Sequence, residues 1–449
     1  MVYSSGRLGT IGWFTASCLL ISNIIGGGIF TTTGLMARDL GDPLLILLLW
    51  TMGGLYAIGG AMVYGELGSR LPQAGGDYVY LREAYGPLVA FLSGWTSFTI
   101  GFGAAVAASA ISFSAYAFRI VPVMDDSGWR AKSVSLALLW LVTLVHCRGL
   151  SGGGRLQRLI TSTKVLAITA LIVGGLTASG AQWDRLSDRP IDPPTTGSVA
   201  VALVIVIYCY LGWNVAGFIA SEITDPQRTL PKVTIGSTTF VAAIYVLLNL
   251  VYLSALSITG LAQEPIVPVA EKSAAALWGA ESGHLVAALL CLSIGGAVSA
   301  MTWAGPRVYW AMAQDGVITP WLAYRSPATG VPTRAILFQT VWASALIVSG
   351  TFEQLIIYSG MVLAFFMGLT LSAVIPLRSR SQDPSPAYLS PWYPVLPVLL
   401  VSGAALVVGS SFFQRPVEAL YGAVTVAAGL PFYLYWQRRG VRTGQQQPE

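Results

Sequence analysis

The stretch Ser22-Asn23-Ile24-Ile25-Gly26-Gly27-Gly28-Ile29-Phe30 places three consecutive glycines in the middle of the first long apolar segment. Each glycine costs a helix roughly 1 kcal/mol relative to alanine. Non-helical backbone survives at membrane depth only where it is buried in protein or lines a cavity. We therefore expect helix 1 to break here. A half-helix that starts near Ile29 would point its positive N-terminus at a small anion.

The composition indicates a membrane protein along its whole length. Hydrophobic residues occupy 54% of the 449 positions and charged residues only 10%, whereas a typical soluble domain has about 25% charged residues. Several apolar segments approach the roughly 20 residues that a bilayer core requires. The sequence predicts an all-α polytopic protein with 12 transmembrane helices, at residues 11–37, 44–65, 88–118, 133–147, 157–179, 198–221, 233–256, 284–312, 333–350, 354–376, 392–413 and 417–436.

The distribution of basic residues predicts the orientation of these helices. If the N-terminus is cytoplasmic, the inner loops and tails hold about twice as many Lys and Arg residues as the outer loops, which favours two cytoplasmic termini. The net charge of +5 reflects this bias, and we expect no nucleic-acid partner. The first apolar segment is too long for a cleavable signal. We expect a protein of the plasma membrane, which is the inner membrane in a Gram-negative cell, with cytoplasmic tails at residues 1–10 and 437–449.

Neither a catalytic nor a metal-binding pattern is visible in the sequence. His146 and His284 lie on opposite predicted faces of the membrane, and no Gly-x-Ser-x-Gly, His-Glu-x-x-His or phosphate-loop motif occurs. We therefore predict that the protein is not an enzyme and has no cofactor. Cysteines within apolar segments are typical of small core residues, and all four lie in or at the edge of predicted helices: Cys18, Cys147, Cys209 and Cys291.

A second interruption occurs in the sixth predicted helix, where Tyr208-Cys209-Tyr210-Leu211-Gly212-Trp213-Asn214 breaks an apolar run. Helices 1 and 6 then open two five-helix halves, residues 11–180 and 198–376, and an odd number of helices inverts the second half in the membrane. Paired interruptions at corresponding positions of two halves indicate a binding site at the membrane midplane in secondary transporters. Helices 11 and 12, residues 392–436, lie outside the repeat.

Four motifs occur in order between residues 24 and 316. They are Ile24–Phe30; Tyr64-Gly65-Glu66-Leu67-Gly68 with Pro72–Tyr78; Gly212-Trp213-Asn214 with Glu222–Pro231; and Arg307 with Ala313-Gln314-Asp315-Gly316. With these motifs the chain resembles the amino acid-polyamine-organocation transporters, and more narrowly their L-type amino acid transporter branch. The resemblance implies the LeuT-like fold, a 5+5 inverted repeat with broken helices 1 and 6.

The resemblance also implies a position for an amino acid substrate. Its carboxylate would bind the amides of the glycine break, and its ammonium would bind main-chain carbonyls of Ile24, Tyr208 and Leu211. A half-helix N-terminus suits an anion, and unwound carbonyls suit a cation. Leu211 stands where the family commonly has a small or polar residue, which favours smaller substrates. The candidate substrate-binding residues are Ile24, Ile25, Gly26, Gly27, Gly28, Tyr208, Tyr210 and Leu211.

Lys164 is the one charged residue well inside a predicted helix, about 10 Å from its cytoplasmic end at roughly 1.5 Å per residue. A lysine there could extend its ammonium back to the interface, but an intramembrane ionisable residue is also a functional candidate. The resemblance implies that the ammonium takes the place of a sodium ion bound by related folds, with Ser293 as its partner. The resemblance gives Tyr245 a role in linking helix 7 to the moving helices, while a packed aromatic ring and a helix–helix hydrogen bond from Asn249 remain the alternative. We expect Trp213 to serve packing or gating and not to contact the ligand.

Charged residues also cluster at the predicted cytoplasmic ends of the helices. Glu66, Asp77 and Glu222 lie near Arg70 and Arg228 in the sequence. Two interpretations remain open, because such residues form either ion pairs of an inner gate or solvated loop charges.

Together these features predict a secondary transporter of neutral L-amino acids that works by alternating access, most simply as a sodium-independent exchanger. The alternatives are a proton-coupled symporter and a membrane sensor that binds an amino acid without moving it. L-type subunits that pair with a single-span glycoprotein carry a cysteine between helices 3 and 4, but residues 119–132 contain none. We therefore expect a stand-alone prokaryotic member without a disulfide-linked heavy chain, whose partners are a small neutral L-amino acid and the lipid bilayer.

Overall fold

The computed structural model describes residues 11–120, 128–188, 193–264, 269–349, 352–380, 387–414 and 416–444. Within these ranges the named elements are all helical, and the one bridge of β type joins Ile11 to Ile223 in parallel. The whole predicted N-terminal tail, residues 1–10, and the last residues of the C-terminal tail, 445–449, lie outside the described residues.

The part of the chain up to residue 188 forms the helices of the first predicted half. A 3-10 turn, Gly28–Phe30, separates the first two helices, and a π-helical segment, Ser97–Phe102, joins the fifth to the sixth. The α-helices are α1 (Trp13–Ile24), α2 (Thr32–Leu40), α3 (Pro43–Arg70), α4 (Asp77–Tyr85), α5 (Pro87–Thr96), α6 (Gly103–Ile120), α7 (Trp129–Cys147) and α8 (Leu150–Thr177).

The rest of the chain forms the second half and the C-terminal helices. Short 3-10 turns at Ala220–Glu222 and Pro320–Ala323 connect some of them. The α-helices are α9 (Thr196–Tyr210), α10 (Val215–Phe218), α11 (Pro226–Ala255), α12 (Ile258–Ala262), α13 (Val269–Trp278), α14 (Ser282–Ala304), α15 (Pro306–Gln314), α16 (Thr333–Ser349), α17 (Phe352–Ser372), α18 (Val374–Arg380), α19 (Val395–Gln414) and α20 (Pro416–Gly444).

Helix ends follow local sequence signals. The side chain of Asp42 accepts a hydrogen bond from the Leu45 amide at 2.9 Å, and Pro43 occupies the first turn of α3, where its missing N–H costs nothing. α3 ends at Arg70, shortly before Pro72, because the residue that precedes a proline disfavours helical backbone. Thr195 caps α9 in the same way by accepting from the Ser198 amide at 3.1 Å.

Eight helical segments of the described chain are long and apolar enough to cross a membrane. Four shorter apolar helices, at residues 13–24, 196–210, 333–349 and 395–410, coincide with the first, sixth, ninth and eleventh predicted helices. Two of these, α1 and α9, are short because each ends at one of the predicted breaks. The chain is therefore an all-helical protein with many apolar segments, while the total of 12 spans and the inverted repeat stay predictions.

α1 lies at the centre of the molecule, against α8, α11 and α14, and α3 packs along α11. Glycines on α3 allow helix 6 to approach closely. A Cβ atom on Gly60 would lie 2.8 Å from the Trp213 ring, and small residues at helix contacts serve this purpose in membrane proteins. In the predicted numbering of spans, α1 and α2 form helix 1, α8 helix 5, α9 and α10 helix 6, α11 helix 7, and α14 with α15 helix 8.

Candidate substrate site

The helix 1 break, residues 25–31, opens the backbone between α1 and α2. α2 begins at Thr32, three residues later than the predicted start near Ile29. Thr31 explains the difference, since its hydroxyl donates to the carbonyls of Gly27 and Gly28 at 3.3 and 3.1 Å. A hydroxyl that bonds nearby backbone competes with regular helical hydrogen bonds.

Three successive amides in this break have no acceptor among the described residues, those of Gly27, Gly28 and Ile29. The Gly26 amide, predicted from the sequence to be a free donor, instead donates to the Ile24 carbonyl at 2.8 Å. The free donors therefore begin at Gly27 and extend to Ile29. They face the side of the break that leads into α2, where the helix dipole is positive.

On the other side of the break, polar side chains occupy the carbonyls at the end of α1. The Lys164 ammonium donates to the Ile25 carbonyl at 2.7 Å and to the carbonyl and hydroxyl of Ser22, both at 3.3 Å. The ammonium is completely buried and points into the protein, so the interpretation in which it extends to the interface is wrong. Its three N–H groups are all used.

Ser293 reaches the same place without contacting Lys164 directly. Its hydroxyl donates to the Ile25 carbonyl at 3.1 Å, so the serine and the ammonium converge on one oxygen. These two side chains, from α14 and α8, hold the negative end of the α1 dipole.

Tyr245 of α11 connects the two broken helices. Its hydroxyl lies 2.9 Å from the Ile24 carbonyl and 3.3 Å from the Cys209 carbonyl. One helical turn further, Asn249 accepts from the Thr33 hydroxyl at 2.6 Å. α11 thus holds the end of α1, the start of α2 and the end of α9 with one face.

The helix 6 break, residues 211–214, turns at Gly212, whose φ of +121° belongs to the left-handed region that favours glycine. The Leu211 amide donates to the Tyr208 carbonyl at 3.1 Å. The carbonyls of Tyr210 and Leu211 accept no hydrogen bond from the described residues. Where the helix 1 break offers free donors, this break offers free acceptors.

Asn23 joins the two breaks, a role that the sequence did not reveal. Its side-chain amide donates to the Gly212 carbonyl at 3.3 Å, and a Cβ atom on Gly212 would lie 2.5 Å from that nitrogen. The Asn23 side-chain oxygen is buried without a hydrogen-bond partner among the described residues. A polar amide one residue before the end of α1 is the sequence signal that marks it.

Tyr210 and Trp213 point away from the helix 1 break, toward α3. The Tyr210 hydroxyl donates to the Trp50 carbonyl at 3.0 Å, and Trp213 is 1% exposed against Gly60. Their rings pack helix 6 against α3. The Tyr210 carbonyl, rather than its ring, is the part that faces the break.

The glycines and their neighbours differ in accessibility. Gly26, Gly27, Gly28, Tyr208 and Leu211 are partly exposed. A Cβ atom on Gly26 would meet no atom within 4 Å, whereas one on Gly28 would lie 2.7 Å from the Cys209 sulfur. Gly26 therefore faces open space, and Gly28 lies in contact with helix 6.

At one end of the bundle, buried ion pairs connect helix 6 to helix 8 and α3 to α18. The Glu222 carboxylate accepts from the Arg307 guanidinium at 3.0 Å and from the Trp303 indole at 3.1 Å. Glu66 accepts from Arg70 at 2.9 Å and from Arg378 at 2.6 Å. Both carboxylates are buried, so the solvated interpretation is wrong for them. Glu222 pairs with Arg307 on helix 8.

Asp77, at the same end, contacts the helix 6 break. Its carboxylate accepts from the Asn214 side chain at 3.0 Å, and only 9% of the residue is exposed. Burial raises the pKa of Asp77 to about 6, and the hydrogen bond from Asn214 opposes this rise. Its charge state is therefore sensitive to any movement that brings water to the start of α10.

At the opposite end, an ion pair joins α6 to α13. Arg119 donates to Glu271 at 2.6 Å, and its side chain is 42% exposed. Elsewhere among the described residues, no group of three or more His, Cys, Asp or Glu side chains could hold a metal ion.

Comparison with known proteins identifies the family of this chain. The family model described as amino acid permease matches residues 11–432. The serine/threonine exchanger SteT of Bacillus subtilis (strain 168) is 28% identical over 438 residues, which cover 96% of this chain and 97% of that protein.

Two mammalian relatives cover nearly as much of the chain. The large neutral amino acids transporter small subunit 2 of Homo sapiens is 28% identical and covers 96% of this chain and 81% of its own. The b(0,+)-type amino acid transporter 1 of Rattus norvegicus is 25% identical and covers 97% of this chain and 89% of its own. These relatives are transporters and not enzymes. The chain belongs to the amino acid permease family, within the amino acid-polyamine-organocation transporters that its motifs resemble.

Proposed function

We propose that this protein exchanges small neutral L-amino acids across the plasma membrane by alternating access, without sodium. One observation supports this most. The unpaired amides of Gly27, Gly28 and Ile29 and the unpaired carbonyls of Tyr210 and Leu211 lie in two breaks that Asn23 joins. A zwitterion carries the two charges that such a pair of breaks complements.

The carboxylate of the substrate would accept from the free amides of the helix 1 break, the end toward which α2 contributes its positive dipole. The ammonium would donate to the Leu211 carbonyl, to the second lone pair of the Tyr208 carbonyl and to the unpaired oxygen of Asn23. The Ile24 carbonyl already accepts from Tyr245 and from the Gly26 amide, so its two lone pairs are used. It would join the site only if Tyr245 moved.

Residues around the breaks favour a small uncharged side chain. Gly26 leaves open space beside the amides, while Leu211 occupies part of the helix 6 break. At the helix 1 break, Lys164 is the one charged side chain that the described residues provide, and its three donors are used. A charged substrate side chain would find no counter-ion there.

Lys164 supports sodium independence. Its ammonium already binds the carbonyls of Ser22 and Ile25 and shares an oxygen with Ser293, so it supplies the positive charge that a cation would bring. A fixed charge needs no ion to accompany each cycle. This arrangement favours exchange over sodium symport.

The buried ion pairs support obligatory exchange. Opening the end of the bundle near Glu222 requires its separation from Arg307, which breaks the charge-assisted hydrogen bonds between the two side chains. A bound amino acid would offset this loss by contacts to both breaks, whereas an empty carrier has no such contacts. We propose that this end faces the cytoplasm, as the distribution of basic residues predicts, and that α1–α3 move with α9–α11.

The positions of the cysteines support a transporter that works without a disulfide-linked partner. Residues 119–132 contain no cysteine, and each cysteine lies within or at the end of a helix: Cys18, Cys147, Cys209 and Cys291.

Uptake into proteoliposomes tests the proposal. Vesicles preloaded with L-serine should accumulate radiolabelled L-alanine in the absence of sodium, and empty vesicles should accumulate almost none. Uptake that depends on sodium would refute the coupling, and binding of alanine without any exchange would favour the sensor.

Proton symport is a second candidate, and Asp77 is the observation that favours it. A buried carboxylate whose pKa is raised to about 6, in contact with a helix that must move, can bind a proton in one state and release it in the other. An inward proton gradient that drives concentrative uptake into empty vesicles would establish symport and refute obligatory exchange.

A further inference from the structure

An apolar groove of about 380 Å³ lies between α6, α7, α8 and α14, on the outside of the bundle behind the Lys164 site. Its lining is almost entirely apolar, and it is open to one side. Residues on α7 and α8 form its walls, and a glycine of α14 forms its floor: Leu138, Leu141, Val145, Leu156, Ile160 and Gly295.

The groove opens toward the lipid. α7 and α8 are both long and apolar enough to span a membrane, and the side chains at the rim of the groove are highly exposed. Leu141 is 63% exposed, and Leu159, next to Ile160, is 68% exposed. In a membrane-spanning helix, apolar side chains with this exposure contact acyl chains.

Two exposed basic residues lie toward the end of the groove at which α7 ends and α8 begins. Leu138, Leu141 and Val145 follow one face of α7, and Arg148 continues that face about 4.5 Å further along the axis. On the neighbouring helix, Arg155 shares a face with Leu159, four residues further, whose exposed side chain lies at the rim of the groove. Both arginines are exposed, and among the described residues neither forms an ion pair with an acidic side chain.

We propose that this groove binds one acyl chain of an anionic phospholipid, whose phosphate is held by Arg148 and Arg155. Basic residues between membrane helices at the end of an apolar cleft recognise anionic headgroups, and arginine suits phosphate because it donates two parallel hydrogen bonds. A neutral lipid would leave both guanidinium groups without a counter-ion, so the charge selects the occupant.

The lipid would lie against residues that pack behind the Lys164 site. Ile160 lies one helical turn before Lys164 on α8. A Cβ atom on Gly296 would meet both Ile160, at 2.7 Å, and the Ser22 hydroxyl, at 2.6 Å, so these groups are packed without free space. An acyl chain against Ile160 therefore restricts the movement of α8 and α14 relative to α1. The lipid slows exchange without touching the substrate.

Native mass spectrometry of the full-length protein, titrated with phosphatidylglycerol, tests the headgroup site. Arg148→Gln and Arg155→Gln should each weaken binding roughly fivefold, the loss expected for one basic residue near a lipid surface. Arg228→Gln is the matched control, because Arg228 is exposed at the same end of the bundle but outside the groove. Equal affinity for phosphatidylglycerol in the double arginine variant and the wild type would overturn the proposal.

Two further arms test the acyl chain. Leu141→Trp fills the rim of the groove and should displace phosphatidylglycerol while sparing the arginines, and unchanged binding would overturn the groove as the site. Soluble glycerol 3-phosphate should not compete with phosphatidylglycerol. Competition by this headgroup alone would show that the arginines bind phosphate without an acyl chain in the groove.

A transport measurement tests the regulatory part of the proposal. Exchange by the wild type should be slower in phosphatidylglycerol vesicles than in phosphatidylcholine vesicles, and the double arginine variant should lose this difference. Equal rates for the wild type in both lipids, or a faster rate in phosphatidylglycerol, would overturn the regulatory part.

Discussion

The two broken helices differ in what their breaks leave unpaired. In the helix 1 break, Lys164, Ser293 and Tyr245 occupy the carbonyls at the end of α1, and three amides beyond them are free. In the helix 6 break, the Cys209 carbonyl accepts from Tyr245, but the next two carbonyls accept nothing from the described residues. One break is therefore left with donors and the other with acceptors.

This difference teaches that a break alone does not determine which charge it binds. Every helix break exposes both carbonyls and amides, and side chains decide which of the two remain available. At helix 1 a buried ammonium occupies the carbonyls, so the break is left with free donors. At helix 6 no such cation is present among the described residues, and the break keeps free acceptors.

The largest expected effect comes from blocking the donors of the helix 1 break. Gly28→Leu would place a Cβ atom 2.7 Å from the Cys209 sulfur and a side chain over the free amides, and Gly26→Leu would fill the open space beside them. We expect both variants to lose alanine exchange completely. Gly236→Leu is the control, because Gly236 lies in α11 with no atom within 4 Å of an added Cβ and should transport normally. Normal binding by the Gly26 and Gly28 variants would move the site elsewhere.

Restoring free carbonyls to the helix 1 break should have the next largest effect. Lys164→Ala leaves the Ser22 and Ile25 carbonyls without their charged donor, and hydrogen bonds to charged groups contribute about 1.5–3 kcal/mol, which corresponds to roughly 10- to 100-fold in exchange rate. Lys232→Ala, at an exposed position on α11, is the matched control.

Sodium sharpens the test of Lys164. The oxygens that the lysine leaves behind would be able to bind a cation, so sodium should partly restore exchange in Lys164→Ala and leave the wild type unchanged. A Lys164→Ala protein with wild-type exchange would contradict the role of the ammonium.

Local backbone chemistry could be predicted from the sequence, whereas partners distant along the chain could not. Three consecutive glycines break a helix wherever it lies, so the position of the helix 1 break was accessible. Which amides of the break are free could not be predicted. The Thr31 hydroxyl and the turn from Gly26 to Ile24 shift the free amides by one residue.

The rest of the site could not be predicted from the sequence, because it depends on contacts between helices that are distant along the chain. The family resemblance implies that Lys164 reaches helix 1. Its hydrogen bonds to Ser22, and the hydrogen bond from Ser293 to the Ile25 carbonyl, depend on how α1, α8 and α14 pack. Glu222 lies near Arg228 in sequence and yet pairs with Arg307, 85 residues away. Asn23 carries no recognisable motif, and its contact with Gly212 arises only when both breaks meet.

A smaller effect is expected from loosening the link between the two breaks. Tyr245→Phe removes the hydroxyl that lies between the carbonyls of Ile24 and Cys209, and a lost hydrogen bond of this kind costs about 0.5–1.5 kcal/mol. Exchange should fall roughly two- to tenfold. The free Ile24 carbonyl could then bind the substrate ammonium, so alanine affinity should fall less than the rate. An equal loss in affinity and rate would argue against a linking role.

The smallest effect at neutral pH, and the most specific signature, is expected at Asp77. Between pH about 4 and 6 the state in which Asp77 is buried binds more protons than one in which water reaches it, because burial raises its pKa to about 6. The stability of the buried state therefore falls as pH rises through this interval and is constant above it. Asp77→Asn cannot ionise and should lose this slope.

Accessibility of a cysteine introduced near Asn214, measured by thiol labelling as a function of pH, reports the opening directly. Glu271→Gln is the matched control, since burial also raises the pKa of Glu271, but at the opposite end of the bundle, and it should leave the slope of labelling near Asn214 unchanged. A slope that persists in Asp77→Asn would show that another group controls the opening of the helix 6 break.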